Sequence, residues 1–234
     1  MAETNDDFLN LLEEGLSKLG IDREDRILSL LARYIEEIEL FNPAYGLVKV
    51  KDRRELIVKH IFDSLAPLNI LFRLLSETPR TVRTEGNVKK IADAGSGAGL
   101  PGIPLAICMP GAEFTLIERM GRRAGFLRDA IAVLGLPNVR VEEAEMERFA
   151  LKPSVAGSFE LVVFRAFRSL EPVILKGLSN LLAPNGFLAA YKGRRESIEE
   201  EMARFRKKAW EVFPLEVPFL EEERHLLLVR PGGL

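Results

Sequence analysis

The residues with the clearest chemical potential are four closely spaced glycines that follow an acid at the end of an apolar run. Asp93 closes the run 88–93 (VKKIAD), and an apolar-faced helical segment begins at Ile103. Glycine lets the backbone turn sharply and lets a ligand approach it closely. A helix that starts directly after such a turn offers free N–H groups and a positive end to polar or anionic ligands. The glycines are Gly95, Gly97, Gly99 and Gly102.

Two cofactor classes use a strand, a glycine-rich turn and a helix in this way. Residues 97–102 (GAGLPG) fit the G-x-G-x-x-G fingerprint of dinucleotide-binding proteins. Residues 93–99 (DAGSGAG) resemble the first motif of S-adenosylmethionine methyltransferases. Glu118 ends the next predicted strand, about 20 residues past the glycines, where an acid suits a pair of ribose hydroxyls in both classes. A glycine-rich turn that binds nothing is the remaining interpretation.

An N-terminal helical segment precedes this strand. Apolar residues at helical spacing predict a first helix over 6–19, and a second that Asp22 caps and Asn42-Pro43 stops. A third helix is expected from Asp52 to about residue 76, with a kink or break at Pro67. We predict that residues 1–80 form a helical extension, and that the polar linker 79–87 leads into a second domain, 81–234.

The rest of the chain alternates between strands and helices, which predicts a parallel sheet with right-handed crossovers. Only the acidic stretch 221–223 separates the last two strands, so we expect them to pair antiparallel. The predicted fold is therefore α/β: a Rossmann-like class I methyltransferase fold with a mostly parallel seven-stranded sheet whose last strand is antiparallel. The predicted strands are 88–94, 113–118, 139–142, 159–164, 187–191, 212–219 and 224–230, and the late helices are 170–182 and 197–210.

Composition narrows the class of protein. The 234 residues are 47% hydrophobic and 29% charged, as in a folded soluble protein. A net charge of −2 means that a nucleic-acid partner must be bound by local basic patches. One cysteine excludes an internal disulfide and fits a reducing cytoplasm. We expect no membrane span, since no run of about 18 apolar residues occurs. No metal is expected either, because His60 and His225 are not spaced as ligands with a carboxylate.

Seven segments together resemble the bacterial small-subunit rRNA guanine-N7 methyltransferases, the RsmG or glucose-inhibited division protein B family. They occur in the order and spacing of that family and extend over nearly the whole chain. The segments are VKHIFDSLAPL (58–68), DAGSGAGLPGIPLAI (93–107), LIERMGRRAGFL (116–127), LGLPNVRV (134–141), FRAF (164–167), KG (192–193) and ERHLLLVR (223–230).

The resemblance implies an enzyme that uses S-adenosylmethionine to methylate N7 of one guanine in 16S rRNA, guanine 527 in the family's usual ribosomal numbering. We expect the protein to be monomeric and cytoplasmic. Its substrate would be the rRNA or the small ribosomal subunit. Arg165, after the fourth strand, would be catalytic and lie beside the methyl donor. The sequence departs from the family pattern in three places: Glu145 replaces an arginine, Gly46-Leu47-Val48 replaces Asn-Leu-Thr, and Arg122-Arg123 replaces Lys-Arg. The predicted cofactor-binding residues are Asp93, Gly95, Gly97, Leu100, Glu118, Met146, Glu147 and Arg165.

The expected chemistry does not require a catalytic base. Guanine N7 has an exposed lone pair and loses no proton on methylation, so alignment does most of the work and no general base is required. Basic residues cluster within 49–59, 119–128 and 192–195. From these clusters we predict phosphate contacts for Arg122, Arg123 and Lys192. Phe167 could stack on a base or belong to the core.

Two alternatives belong to other functional classes. One is an NAD-dependent oxidoreductase that uses residues 97–102, although no Tyr/Lys or His/Asp catalytic set is apparent. The other is a non-catalytic RNA-binding assembly factor, which the intact glycine loop and Glu118 disfavour.

Overall fold

The computed structural model describes residues 5–77, 88–165, 170–206 and 209–230. Within these ranges the N-terminal part is helical. Asn5–Lys18 forms α1 and Asp25–Tyr45 forms α2. The next segment changes helical type several times before it ends. It comprises α3 (Arg53–Leu56), a π-helical turn (Ile57–Phe62), α4 (Asp63–Leu65) and α5 (Leu68–Glu77).

The sheet follows, and its strands alternate with helices up to β6. The strands are β1 (Lys89–Ala94), β2 (Ala112–Glu118), β3 (Val139–Glu143), β4 (Phe159–Arg165), β5 (Leu182–Lys192), β6 (Trp210–Leu215) and β7 (Arg224–Val229). The helices are α6 (Gly102–Cys108), α7 (Gly121–Leu134), α8 (Met146–Phe149), α9 (Pro172–Leu181) and α10 (Arg195–Met202).

The described strands form one sheet in the order β3-β2-β1-β4-β5-β7-β6. Strands β1 to β5 pair in parallel, whereas β7 runs antiparallel to both β5 and β6. This arrangement confirms the predicted Rossmann-like class I methyltransferase fold. The order reverses between β1 and β4, and ligands of such sheets bind outside the carboxyl ends of the strands at that point.

Helices cover both faces of the sheet. Successive residues of a strand point to opposite faces, so Ile91 packs into a cluster with the N-terminal helices, and Ala92 packs into a second cluster with α8, α9 and α10. The hydroxyl of the fully buried Tyr34, in α2, donates to the carbonyl of Ala98 at 2.6 Å. The N-terminal helices therefore contact the glycine loop directly. The predicted boundary between residues 80 and 81, like the linker 79–87, lies outside the described residues, and the division into two domains stays a prediction.

Two helix ends of the extension differ from the predictions. The N-cap of α2 is Glu24 and not Asp22, whose carbonyl accepts a hydrogen bond from Glu24 N in a tight turn. Pro43 lies inside the last turn and does not stop the helix. The helix ends instead where Gly46 adopts a left-handed conformation and its N–H bonds to Asn42 O. Asp52 caps α3 through Glu55 N, as expected, and the chain breaks before α5 at Pro67.

The late elements also differ from the predictions. Strand β5 begins at Leu182 and not at residue 187. A register shift against β4, between Phe159 and Leu161, accommodates the turn-forming residues 184–186 within the strand. Asn185 has φ 66° there, and a Cβ on Gly186 would lie 2.8 Å from Phe159 O. The predicted helix 197–210 ends at Met202, since Trp210 instead pairs with Val229 in the sheet. Strand β6 ends at Leu215 and not at residue 219.

Candidate active site

A cleft of about 530 Å³ opens at the carboxyl edge of β1, β2 and β3. It brings together four residues predicted to bind the cofactor: Gly95, Glu118, Met146 and Glu147. Loops that follow three neighbouring parallel strands converge there, which explains how residues far apart in sequence become neighbours. The full lining is Gly95, Ile117, Glu118, Arg119, Met120, Arg123, Ala144, Glu145, Met146 and Glu147.

Glu118 holds the glycine loop in place. Its carboxylate is buried and accepts hydrogen bonds from Gly97 N at 2.9 Å and from Met120 N at 2.8 Å. Gly95 N and Ser96 N in turn donate to Ile117 O. The acid that the sequence predicts for ribose hydroxyls is thus also the residue that joins the end of β2 to the loop.

Asp93 lies beneath the loop rather than in the cleft. It is fully buried, and its Oδ2 accepts a hydrogen bond from Gly102 N at 3.0 Å. A Cβ on Gly102 would lie 2.7 Å from that oxygen, so glycine is required for the approach of α6. Asp93 Oδ1 is buried without a hydrogen-bond partner among the described residues. Burial raises the pKa of Asp93 to about 7, although the bond from Gly102 and the charge of Arg165 oppose this change.

This pKa predicts that Asp93→Asn changes how stability depends on pH. The folded protein holds the Asp93 proton up to about pH 7, whereas the unfolded chain releases it near 3.8, the ordinary pKa of an aspartate. The free energy of unfolding should therefore fall as the pH rises from about 4 to 7, at up to roughly 1.4 kcal/mol per pH unit.

Asparagine removes the charge, so the gain in melting temperature of Asp93→Asn over the unsubstituted protein should be larger at pH 8 than at pH 5. Calorimetric melting of both proteins at these two pH values measures the difference. An equal gain at both values would show that Asp93 does not retain its proton.

The remaining predicted site residues occupy different environments. Leu100 is buried in the core below the loop, and Gly97 is half-buried beside Glu118. Arg165 lies outside the cleft lining, on the other side of β1, with its guanidinium against the N-terminal helices. The pair Ala166-Phe167 of the FRAF segment lies outside the described residues.

The three predicted RNA-binding residues also lie in different environments. Arg122 is exposed on α7, with its guanidinium 5.8 Å from the ring centre of Tyr45. Arg123 lines the cleft and donates to Gly46 O at 3.1 Å. Lys192 is paired with Glu201, at 2.7 Å, and the Lys192 side chain is only 19% exposed. Its charge is already partly neutralised by that carboxylate.

Sequence reasoning missed several residues of the site. Arg119, Met120 and Ala144 directly follow the ends of β2 and β3, and their position after those strands was the signal that could have found them. Tyr34 had no such signal, because its contact with Ala98 joins residues 64 positions apart. Within the described residues, no group of acids, histidines or cysteines could hold a metal ion, and no helix has the length and apolarity to cross a membrane.

Comparison with known proteins identifies the family. The family model described as GidB, rRNA small subunit methyltransferase G, matches residues 27–227. Proteins named "Ribosomal RNA small subunit methyltransferase G" are 37% identical in Treponema denticola and 41% identical in Treponema pallidum (strain Nichols). Each alignment covers 94% of this chain, and 93% and 92% of the respective relative.

A solved structure supports the fold. A SAM dependent methyltransferase from Aquifex aeolicus superposes with a TM-score of 0.52 at 16% identity, over 83% of this chain and 97% of that chain. The family match confirms that the chain is a methyltransferase, with S-adenosylmethionine as its cofactor, and it decides against the oxidoreductase and the non-catalytic alternatives. The chain belongs to the GidB family, rRNA small subunit methyltransferase G.

Proposed function

We propose that this protein transfers the methyl group of S-adenosylmethionine to N7 of a guanine in 16S rRNA, guanine 527 in the family's usual numbering. The observation that carries the proposal is the family match across residues 27–227, to relatives named for the small-subunit rRNA. We further expect a monomeric, cytoplasmic enzyme. Sedimentation of the purified protein tests the monomer.

The cleft beside the glycine loop fits the cofactor. Gly95 and Gly97 leave the backbone open to close approach, and Glu118 offers carboxylate oxygens to ribose hydroxyls. Met146 and Glu147, at the start of α8, would lie near the adenine. Leu100 supports the loop from below. Asp93 lies beneath the loop with one oxygen unpartnered among the described residues, and a cationic cofactor bound above it would favour its charged form.

Methyl transfer to N7 needs little acid–base chemistry from the protein. The cofactor supplies a methyl group on a positively charged sulfur, and the N7 lone pair accepts it without losing a proton. The residues of the chain need only hold donor and acceptor in line and exclude water. His60, beside Arg165, agrees with chemistry that needs no proton donor, since burial and the charge of Arg165 lower the pKa of its imidazole to about 4. His60 is therefore neutral at physiological pH.

Arg165 is the residue that we assign to the acceptor side. It ends β4 at the carboxyl edge, next to β1, which carries Asp93. Its side chain is 15% exposed. A guanidinium there can orient a guanine through its O6 atom, which leaves the N7 lone pair free to accept the methyl group, or it can stabilise a nearby phosphate. The assignment makes Arg165 the catalytic residue of the proposal.

The direct test uses labelled S-adenosylmethionine with small subunits purified from cells that lack the modification. We expect label in the 16S rRNA, and chain cleavage chemistry specific for 7-methylguanosine should locate it at one guanine. Naked 16S rRNA is tested in parallel and shows whether the enzyme acts on free RNA or requires the particle. Label on another atom or another nucleotide would contradict the proposed specificity.

We also propose that Arg122, Arg123 and Lys192 contact RNA phosphates. The two arginines begin α7 after β2, and Lys192 ends β5, so all three lie at the carboxyl edge of the sheet. Arg122 is exposed and can contact a phosphate without giving up a hydrogen bond to the described part of the protein. Arg123 and Lys192 would have to exchange their contacts with Gly46 and Glu201 for phosphate oxygens.

Replacing both Arg122 and Arg123 by alanine should flatten the salt dependence of RNA binding. Loss of two phosphate contacts corresponds to about 1.4 to 1.8 units of log–log slope. Filter binding of small-subunit RNA across a salt series measures the slope. The single variant Arg122→Ala is the control for the cofactor site, because Arg122 does not line the cleft, and its cofactor affinity should not change. An unchanged slope in the double variant would place the RNA elsewhere.

A further inference from the structure

The guanidinium of Arg165 is held by one short segment of the helical extension. Its Nη1 donates to Asp63 Oδ2 at 3.0 Å and to Lys59 O at 3.3 Å. Its Nη2 lies 2.9 Å from His60 Nδ1. The three partners therefore lie within five consecutive residues, about a hundred positions before Arg165 in the chain. They restrain both the position and the plane of the guanidinium.

Asp63 is the charged member of this group. Its side chain is only 6% exposed, and its Oδ1 lies 3.2 Å from Nε of Arg224, the first residue of β7. One buried carboxylate thus joins the ends of two strands to the helical extension. Removal of one partner from a buried ion pair leaves an uncompensated charge, so Asp63 and Arg165 constrain each other.

His60 adds a directional contact. A guanidinium can only donate, so the Nδ1 atom that faces Arg165 must accept, and the imidazole carries its proton on Nε2. The neutral ring is therefore held in one tautomer by Arg165. Any movement of Arg165 would release this histidine, and that release can be measured.

We propose that Asp63 is a positioning residue for methyl transfer, which acts by fixing Arg165 at the catalytic edge of the sheet. The inference rests on the proposed role of Arg165. It assigns the helical extension a part in catalysis beyond packing, because the carboxylate that orients the guanidinium belongs to the extension. A merely structural ion pair would affect stability and leave the rate of transfer unchanged once the protein is folded.

A double-mutant cycle separates these two roles. We expect Arg165→Ala and Asp63→Asn each to lower kcat at least tenfold, with little change in KM for the cofactor. The double variant should be within about twofold of Arg165→Ala, because Asp63 acts only through Arg165. Multiplicative losses would overturn the proposal. The matched control is Glu39→Gln, which breaks the Glu39–Arg53 pair of the same extension and should lower the melting temperature without altering kcat.

The titration of His60 gives a readout that does not depend on activity. The chain has two histidines, so the imidazole signals in an NMR titration are simple to assign. Arg165→Ala should raise the pKa of His60, since the charge of Arg165 lowers it. Asp63→Asn should raise that pKa as well if Arg165 leaves its place. An unchanged or lower value would mean that Arg165 stays without Asp63, which would overturn the proposal.

A charge-conserving variant covers the case in which Asp63→Asn does not fold. Asp63→Glu keeps the ion pair but displaces the carboxylate, so it should fold, lower kcat and raise the pKa of His60. Normal kcat and normal titration in this variant would contradict positioning by Asp63. If the unsubstituted enzyme transfers no methyl group to rRNA, the proposed function fails, and the His60 titrations still decide whether Asp63 positions Arg165.

Discussion

Gly97→Val should abolish binding of S-adenosylhomocysteine, with affinity reduced at least a hundredfold, while the protein remains folded. A Cβ at Gly97 meets no heavy atom closer than Gly95 O at 4.0 Å, so the side chain enters open space beside the loop. The proposed cofactor would occupy that space. The backbone at Gly97 has φ 60°, so a branched residue also strains the loop by about 1–2 kcal/mol. Calorimetric titration measures the affinity, and circular dichroism measures the melting temperature.

Gly135→Val is the matched control. Gly135 caps α7 with φ 61°, and nothing lies within 4 Å of an added Cβ, so the backbone strain is closely similar. It lies at the far end of α7 from the cleft. This variant should lose comparable stability and retain its affinity for the ligand. If Gly97→Val binds as tightly as Gly135→Val, the cofactor does not approach the loop at Gly97.

Glu118→Ala should weaken cofactor binding by about a hundredfold or more. The carboxylate accepts hydrogen bonds from Gly97 N and Met120 N, and hydrogen bonds to charged groups contribute about 1.5–3 kcal/mol each. Alanine removes both anchors of the loop and the proposed contacts with the ribose hydroxyls. A hundredfold loss equals about 2.7 kcal/mol, which is within reach of two such bonds. Calorimetric titration with S-adenosylhomocysteine tests the effect.

Glu118→Gln is the conservative comparison. Its amide keeps the volume and one accepting oxygen, but its NH₂ group faces one of the two backbone donors that the carboxylate serves. The affinity should lie between those of the unsubstituted protein and Glu118→Ala. Binding by Glu118→Ala within threefold of the unsubstituted protein would remove Glu118 from the proposed site, whatever the glutamine variant shows.

Much of the sheet and the cofactor loop could be predicted from sequence, because both depend on local patterns. Short apolar runs between helical segments predicted the parallel strands, and the short link 221–223 predicted the antiparallel end of the sheet. Errors occurred where pairing between distant residues overrode local signals. Trp210 follows a helical pattern in sequence but lies in β6, since its backbone bonds to β7.

The partners of the charged side chains could not be predicted in the same way. The sequence presents Lys192 and Arg123 as cations at the edge of the sheet, yet one pairs with Glu201 and the other donates to Gly46 O. Such contacts depend on where the N-terminal helices and α10 pack against the sheet. Charge in a sequence indicates a possible partner but does not select one.

The sequence by itself determined the glycine loop, the acids Asp93 and Glu118 that flank it, and the mostly parallel sheet that places them at one edge. These features follow from backbone conformations and side-chain periods that extend over a few residues. Only the tertiary structure decided that Asp63 holds Arg165 and that Tyr34 contacts the loop. Those contacts join residues 102 and 64 positions apart, and they form because burial of the apolar faces of the helices brings the extension against the sheet.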